Sequence, residues 1–357
     1  MAEGRKSNFE LLRIIAMMMI VSGHMYAQAF DLSMVNIAGN SFMIIFCSAA
    51  RIAVNLFLMT GIWFMVDSKF RVSQIIKLYS ALWFYSVGIT IILLLFRVQV
   101  GMKNILSCFF PFIRRWMWFV PAYLSLLLLS PFLKTICDRM AEKEMRGITL
   151  VGAFLIVFMS TVSEMMDTFF CALTWFVYCY FLIKYYKKYL YQKIKCENIC
   201  LFTSILLYIV LVSIRLISYF GEGPIYHLLG KISTQYLMDY KSIPNVLCSI
   251  GIFIFFSKLE IGSRRCINEV ARNTLDIYMI HQCPTLIPIL WTDIFKSRVW
   301  EGSGNFIFIF IFVLIMVYLL GSVIGRIRTK LLEPAWIRSN LYQYLCLKLE
   351  NLYRRMI

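Results

Sequence analysis

The sequence has few charged residues: 15% of its 357 residues are Asp, Glu, Lys or Arg, while 61% are hydrophobic and the mean hydropathy is +0.74. Soluble domains carry about 25% charged residues, so this chain has too little polar surface to coat a globule. It also lacks the polar intervals that give a soluble helix one apolar face. Its apolar runs are near 20 residues long, the length that a helix needs to cross a hydrocarbon core of roughly 30 Å. The composition therefore predicts an all-α polytopic membrane protein.

Other absences exclude further classes of protein. The 11 cysteines include no CxxC pair and lie mostly inside apolar runs, so they indicate small apolar side chains and no disulfide or zinc framework. No tandem repeat, low-complexity tract or long linker separates a second folded domain. The net charge of +17 does not indicate nucleic-acid binding, because the basic residues lie in short clusters between apolar runs. We expect no metal ion and no permanently bound cofactor.

The apolar runs predict about ten transmembrane helices, near residues 9–29, 42–66, 73–97, 117–136, 147–164, 168–186, 199–220, 242–258, 271–292 and 304–325. Arg13 interrupts the first run and no small-residue cleavage site follows, so we interpret this run as a retained helix and not as a signal peptide. Of the 36 Lys and Arg residues, 24 lie in segments on the side of the termini and 7 on the opposite side. Because basic residues favour the cytoplasmic side, both termini are predicted to be cytoplasmic. Residues 1–325 are predicted to form the membrane domain and residues 326–357 a basic cytoplasmic tail. This tail alternates apolar and polar residues, a pattern that suits an amphipathic helix on the inner leaflet.

Ionisable residues inside a membrane span are costly and usually face a cavity or a partner. The first span contains Arg13 and His24, whose separation by eleven residues places them on one face of a helix, about 16 Å apart. Glu10 precedes Arg13 by three positions and can pair with it. Arg13 is predicted near the cytoplasmic boundary, where it can alternatively reach lipid headgroups. His24 is predicted near the middle of the membrane, too deep for that alternative.

Other spans contain polar residues as well. His281 in the ninth span should reach a depth comparable to that of His24, although a buried histidine can also simply satisfy a neighbouring helix. Arg51 and Arg215 lie near the outer ends of their predicted helices, where they either line a cavity or anchor headgroups. Asn55 follows Arg51 by one turn.

Four segments resemble, in order, motifs of the membrane-bound acyltransferase 3 family. From Asn8 to His24 the chain reads N-x-E-L-L-R, ten residues and His, which resembles the family's Arg/Lys-x10-His signature. Three further motifs are similar to RIAVNLFLMTG (51–61), WMWFVPAYLSLLLLSPFL (116–133) and LDIYMIHQ (275–282). Thr60 stands where the family usually has Ser, and Gln282 where it has Pro. The resemblance extends from residue 8 to about residue 325.

The resemblance implies an enzyme of the bacterial cytoplasmic (inner) membrane that uses cytoplasmic acyl-CoA, usually acetyl-CoA, to acylate a sugar hydroxyl of an envelope or exported glycan. Many members of the family continue into a soluble hydrolase-like domain that completes the transfer outside. We expect no such domain after the tenth predicted span. We therefore expect direct transfer to the glycan or a lipid-linked sugar, or a separate extracytoplasmic partner.

The residues of the first span suit this chemistry. Acyl transfer to a hydroxyl needs a base and donors for the developing oxyanion, and His24 can serve as the general base or carry the acyl group transiently. Arg13 is the other predicted catalytic residue and can bind a CoA phosphate at the cytoplasmic mouth. The candidates for holding the acceptor are Arg51, Asn55, Arg115, Trp118 and His281.

A transporter or flippase of a lipid-linked sugar or small metabolite is the competing class, since intramembrane charges also mark transport pathways. A purely structural membrane component is the third alternative. A transporter has no need for an Arg at the cytoplasmic mouth aligned with a buried His. The first span therefore favours the acyltransferase, and leaves the acceptor and the acyl group open.

Overall fold

The computed structural model describes residues 6–111, 117–162 and 170–356, and its regular elements are all helical within these ranges. Seven helices in this part of the chain are long and apolar enough to cross a membrane: Ser7–Gln28, Ile37–Met65, Val72–Leu95, Phe119–Arg139, Glu142–Val162, Glu197–Phe220 and Phe306–Arg338. The predicted all-α, multi-pass architecture is confirmed.

In chain order, the helices are α1 Ser7–Gln28, α2 Ile37–Cys47, α3 Ala50–Met65, α4 Val72–Leu95, α5 Met102–Cys108, α6 Phe119–Arg139, α7 Glu142–Gly152, α8 Met159–Val162, α9 Ala172–Tyr185, α10 Glu197–Phe220, α11 Pro224–Met238, α12 Ile243–Lys258, α13 Arg265–Ala271, α14 Thr274–His281, α15 Ile287–Ile289, α16 Ser297–Trp300, α17 Phe306–Ile327, α18 Glu333–Arg338 and α19 Asn340–Met356. Stretches of π-helix continue some of them, at Ala153–Phe158, Tyr186–Leu190, Leu290–Ile294 and Arg328–Leu332.

Three of the predicted spans differ in the structure. The sixth corresponds to α9, which begins at Ala172 and continues as π-helix to Leu190, and the eighth corresponds to α12, which has only 16 residues. The ninth is not the continuous helix expected over 271–292, because α14 ends at His281 and α15 begins at Ile287. Pro284 lies in the gap, lacks an amide hydrogen and disfavours helix at the residue before it. The count of about ten spans and the cytoplasmic location of the termini stay predictions.

Helix α1 runs through the interior of the bundle. It packs along α3 and also contacts α13, α14 and α17. Its side chains Leu12, Met17, Val21 and Met25 are completely buried. Because protein surrounds α1 on several sides, its polar residues lie against other helices and not only against lipid.

The C-terminal segment folds back onto the start of α4. Helix α17 continues past residue 325 through the π-helical stretch into α18, and α19 follows after Ser339. Tyr342 of α19 is buried in a small second core with Val72 and Ile76 of α4. The tail is helical, as the sequence allowed, and α19 packs partly on protein.

Candidate active site

Two histidines meet inside the bundle. The Nδ1 atom of His24 on α1 lies 2.9 Å from the Nε2 atom of His281 on α14, although 257 positions separate them in the sequence. The other ring nitrogen of His281 lies 2.6 Å from the carbonyl oxygen of Ile277, one turn earlier. His281 is fully buried, at 1% exposure, whereas His24 is only partly buried. His24 is thus the more exposed member of the pair.

The two hydrogen bonds fix the tautomers of the neutral pair. A carbonyl oxygen only accepts, so Nδ1 of His281 carries a hydrogen and Nε2 of His281 keeps its lone pair. Nδ1 of His24 then donates to that lone pair. The Nε2 atom of His24 keeps a lone pair that makes no hydrogen bond with the described residues. This is the arrangement of a base or nucleophile whose ring is oriented by a second group.

Helix α1 lies very close to α3 next to His24. A side chain at Gly23 would overlap that of Ala50, so glycine is what permits the two helices to touch at this level. Arg51 directly follows Ala50 on α3, so its backbone lies next to this level of α1.

A second polar contact ties the broken segment after His281 to α1. The side-chain amides of Gln28 and Gln282 approach each other at 3.4 Å. Nε1 of Trp291 donates to Oε1 of Gln28 at 3.2 Å. Gln282, one of the two departures from the family motifs, thus helps to hold His281 against α1.

Arg13 also faces α3, as expected for a residue on the same face of α1 as His24. Its Nη1 atom lies 3.4 Å from Oε2 of Glu10, which confirms the predicted pair. Its guanidinium carbon lies 6.0 Å from the ring centre of Phe57. Its Nε atom is buried and has no hydrogen-bond partner among the described residues. A buried N–H without a partner destabilises the protein. A ligand that accepts a hydrogen bond from this atom would remove that cost.

Between Arg13 and His24 lies a row of aromatic rings from α3, α6 and α14, which we call the aromatic row: Phe57, Tyr123, Phe119 and Tyr278. Neighbouring ring centres are 5.8 Å apart for Phe57 and Phe119, 6.0 Å for Phe119 and Tyr123, and 5.9 Å for Phe119 and Tyr278. The ring of Tyr278 lies 6.3 Å from that of His24. The row thus connects the two predicted catalytic residues.

Tyr278 was not singled out by the sequence analysis. Its ring packs against both His24 and His281, with centres 6.3 and 6.0 Å apart. Its hydroxyl is buried and makes no hydrogen bond with the described residues. The signal was present, since Tyr278 precedes His281 by three residues and so shares its face of the helix.

Asn55 is completely buried, and both the oxygen and the nitrogen of its side-chain amide form hydrogen bonds with other residues. Oδ1 accepts from Nε1 of Trp175 at 3.1 Å, and Nδ2 donates to the carbonyl of Tyr240 at 2.7 Å and to Oγ of Ser249 at 3.2 Å. These bonds join α3, α9, α12 and the segment before α12. Asn55 thus holds these elements together, and its role in binding the acceptor stays a prediction.

Trp118, another predicted acceptor residue, directly precedes α6. Trp118 is partly buried and stacks on Tyr240, with ring centres 5.4 Å apart and an angle of 17° between planes. It directly precedes Phe119 of the aromatic row. Arg115 lies outside the described residues. The roles of Trp118 and Arg115 in binding a sugar stay predictions.

The fold and the site define a multi-pass membrane protein with a paired histidine centre in its interior. The family model described as an acyltransferase domain matches residues 6–326. The chain belongs to the acyltransferase 3 family and is a membrane acyltransferase. No curated protein and no solved structure matches it.

Proposed function

We propose that the protein moves an acyl group, most simply acetyl, from cytoplasmic acyl-CoA to a hydroxyl of an envelope or exported glycan or of its lipid-linked precursor. The proposed location is the bacterial cytoplasmic membrane, where one protein can meet acyl-CoA on one side and such a glycan on the other. The observation that carries the proposal is the pair His24–His281, whose hydrogen bonds leave Nε2 of His24 with an available lone pair.

In the base mechanism, Nε2 of His24 takes the proton of the acceptor hydroxyl while the hydroxyl oxygen attacks the thioester carbon. The carbonyl oxygen becomes an oxyanion, and the Tyr278 hydroxyl and the Arg51 guanidinium are the donors that we assign to it. The carbon–sulfur bond then breaks, and the CoA thiolate takes the proton from His24. While His24 is protonated, its Nδ1–H stays bonded to His281, which stabilises the cation.

In the alternative mechanism, Nε2 of His24 itself attacks the thioester carbon, the carbon–sulfur bond breaks and CoA leaves as a thiolate. The resulting acyl-imidazolium keeps its Nδ1–H bonded to His281. The acceptor hydroxyl then attacks the acyl carbon, the bond to Nε2 breaks and releases neutral His24, and the hydroxyl proton passes to the CoA thiolate. Incubation with labelled acetyl-CoA, without acceptor, separates the two mechanisms. Label that remains on the denatured protein and is absent from His24→Gln supports the acyl carrier, whereas unlabelled protein with normal transfer supports the base.

Arg13 and the aromatic row suit the donor. The buried Nε of Arg13 can donate to a CoA phosphate, since guanidinium and phosphate form strong charge-assisted bonds. CoA is long enough to keep its phosphates at the cytoplasmic boundary while its thioester reaches His24. We propose that its arm runs along the aromatic row, and that Trp118 and Arg115 hold the acceptor from the outer side.

The proposal is tested on membranes that contain the full chain, with labelled acetyl-CoA and the native glycan. His24→Gln should lower transfer at least ~100-fold, the lower end of what a positioned base contributes, while the protein still inserts and folds. The matched control is His227→Gln, because His227 is exposed and far from the pair in the sequence. Mass spectrometry of the glycan with and without the protein identifies the acceptor. Near-normal transfer by His24→Gln would overturn the assignment.

One observation favours the competing class: the break between α14 and α15 resembles the discontinuous helices of many transporters. A transporter or flippase would export the glycan or its precursor without acylating it. Loss of glycan export on deletion, together with normal export and normal acylation in the His24→Gln strain, would support transport.

A further inference from the structure

A polar pocket of about 250 Å³ lies between α1, α2, α10 and α11. It is at the predicted outer end of α10. Tyr26 follows His24 by two residues, about 200° around the helix, so the pocket and His24 lie on different faces of α1. The polar residues that line it are Tyr26, Asn40, Arg215, Ser218, Tyr219 and Thr234.

Arg215 is the charged residue of this pocket, and its guanidinium is only partly satisfied. Nη2 donates to the hydroxyl oxygen of Tyr26 at 3.2 Å. Nη1 is buried and has no hydrogen-bond partner among the described residues. Because Tyr26 accepts from Arg215, its own hydroxyl hydrogen stays available. The Nη1 hydrogens of Arg215 and the hydroxyl hydrogen of Tyr26 thus have no acceptor among the described residues.

Arg215 differs from Arg328 and Arg13, two other partly buried arginines of the bundle. Arg328 pairs with Asp276 at 3.0 Å and Arg13 with Glu10 at 3.4 Å. Arg215 forms no ion pair with a carboxylate of the described residues. An arginine that anchors headgroups extends its charged end out of the protein, but the Nη1 atom of Arg215 is buried. A positive charge inside a membrane span is costly unless it has a partner. We therefore expect Arg215 to bind an anionic ligand.

We propose that this pocket is a binding site for a phosphate group. Guanidinium binds phosphate oxygens through parallel N–H donors, and the Tyr26 hydroxyl can add a third hydrogen bond. The volume admits one phosphate and part of the molecule that carries it. The phosphate can belong to a phospholipid headgroup or to a free phosphate compound, and both present the same oxygens. The inference does not rest on the acyl-transfer proposal.

The test uses the full chain purified in a maltoside detergent, so that the detergent brings no phosphate. Phosphorus analysis first measures any phosphate that remains bound after purification. Calorimetric titrations with inorganic phosphate and with dihexanoyl phosphatidic acid then measure binding. The variants are Arg215→Gln, Arg215→Lys and the control Lys231→Gln, which removes an exposed positive charge close to the pocket in sequence. Thermal unfolding shows that each variant is folded.

Wild-type protein should bind the probes, or retain phosphate, and Arg215→Gln should bind at least ~10-fold more weakly or retain none. Arg215→Lys should recover part of the affinity as a point charge, and Lys231→Gln should match wild type. Binding of both probes, or of phosphate alone, identifies the phosphate as sufficient; binding of phosphatidic acid alone identifies a lipid headgroup. The proposal is overturned if the wild-type protein neither binds nor retains phosphate. It is also overturned if Arg215→Gln binds as tightly as wild type, or if Lys231→Gln loses as much affinity as Arg215→Gln.

Discussion

Two clusters of polar side chains are buried in this bundle, and they differ in how completely they are paired. Around Asn55, both ends of the amide are bonded to protein, through Trp175, Tyr240 and Ser249. Around His24, the polar side chains are hydrogen-bonded less completely. His24 is bonded through Nδ1 and keeps Nε2 available, while the Tyr278 hydroxyl has no partner among the described residues.

The difference separates residues that hold the fold from residues that await a ligand. A buried polar group without a partner destabilises the protein by about 1–3 kcal/mol. The Asn55 cluster avoids that cost and joins helices. In the His24 cluster, the unpaired hydroxyl of Tyr278 carries this destabilisation. A bound substrate would supply the missing hydrogen-bond acceptor. Substitutions in the two clusters should therefore change different measured quantities.

After His24→Gln, the largest effect expected in this comparison is that of Tyr278→Phe. It removes one oxyanion donor and should lower transfer by about 100-fold, measured as labelled acetyl transfer in membranes. The temperature of unfolding should stay the same or rise, because an unpaired hydroxyl is removed. Tyr180→Phe is a matched control, since its hydroxyl is likewise buried and unpaired but lies near Asp67 and Asp138. Equal activity of Tyr278→Phe and wild type would contradict the role.

His281→Gln should have a smaller effect, on the order of tenfold, as for loss of an orienting partner. Glutamine can still accept a hydrogen bond from Nδ1 of His24, so the orientation of His24 is weakened and not abolished. The measurement is the rate of transfer at saturating acetyl-CoA. If His281→Gln abolishes transfer while His24→Gln does not, the base is His281.

Arg13→Ala should act mainly on donor binding. We expect the KM for acetyl-CoA to rise by about tenfold with a smaller change in kcat, because a phosphate contact far from the reacting atoms contributes uniform binding. Arg13→Lys should restore part of it. The control is Arg272→Ala, which also breaks a 3.4 Å pair with a glutamate three positions earlier. An unchanged KM in Arg13→Ala would leave lipid headgroups as its partner.

Asn55→Ala should have the smallest effect on transfer per folded molecule and the largest on stability. Trp175 and Tyr240 would lose their partner, which should lower the free energy of unfolding by about 2–3 kcal/mol. Thermal unfolding in detergent and transfer per folded molecule are measured together, with the exposed Asn198→Ala as control. If the Asn55→Ala variant is folded and stable but binds the acceptor weakly, Asn55 contacts the acceptor.

Much of this site could be predicted from local spacing. The eleven-residue interval placed Arg13 and His24 on one helix face, and the three-residue interval gave the pair with Glu10. The comparable depth of His24 and His281 is consistent with their contact at 2.9 Å. These predictions succeeded because helix geometry alone determines them.

What could not be predicted depends on contacts between distant parts of the chain. Asn55 looks like a free polar residue until the packing of α9 and α12 supplies its partners. The orphan hydroxyl of Tyr278 is visible only in three dimensions. The break after His281 is a different case. Pro284 predicts a break in the helix, but the apolar run around it is long enough to predict a continuous span.

The most direct measurement of the central claim is a double-mutant cycle between His24 and His281. Single-turnover transfer from labelled acetyl-CoA is measured for wild type, His24→Gln, His281→Gln and the double variant, each corrected for folded protein. If the two rings act as one unit, the double variant should be within about twofold of His24→Gln. If its loss equals the product of the two single losses, the histidines act independently, and the paired centre proposed here is wrong.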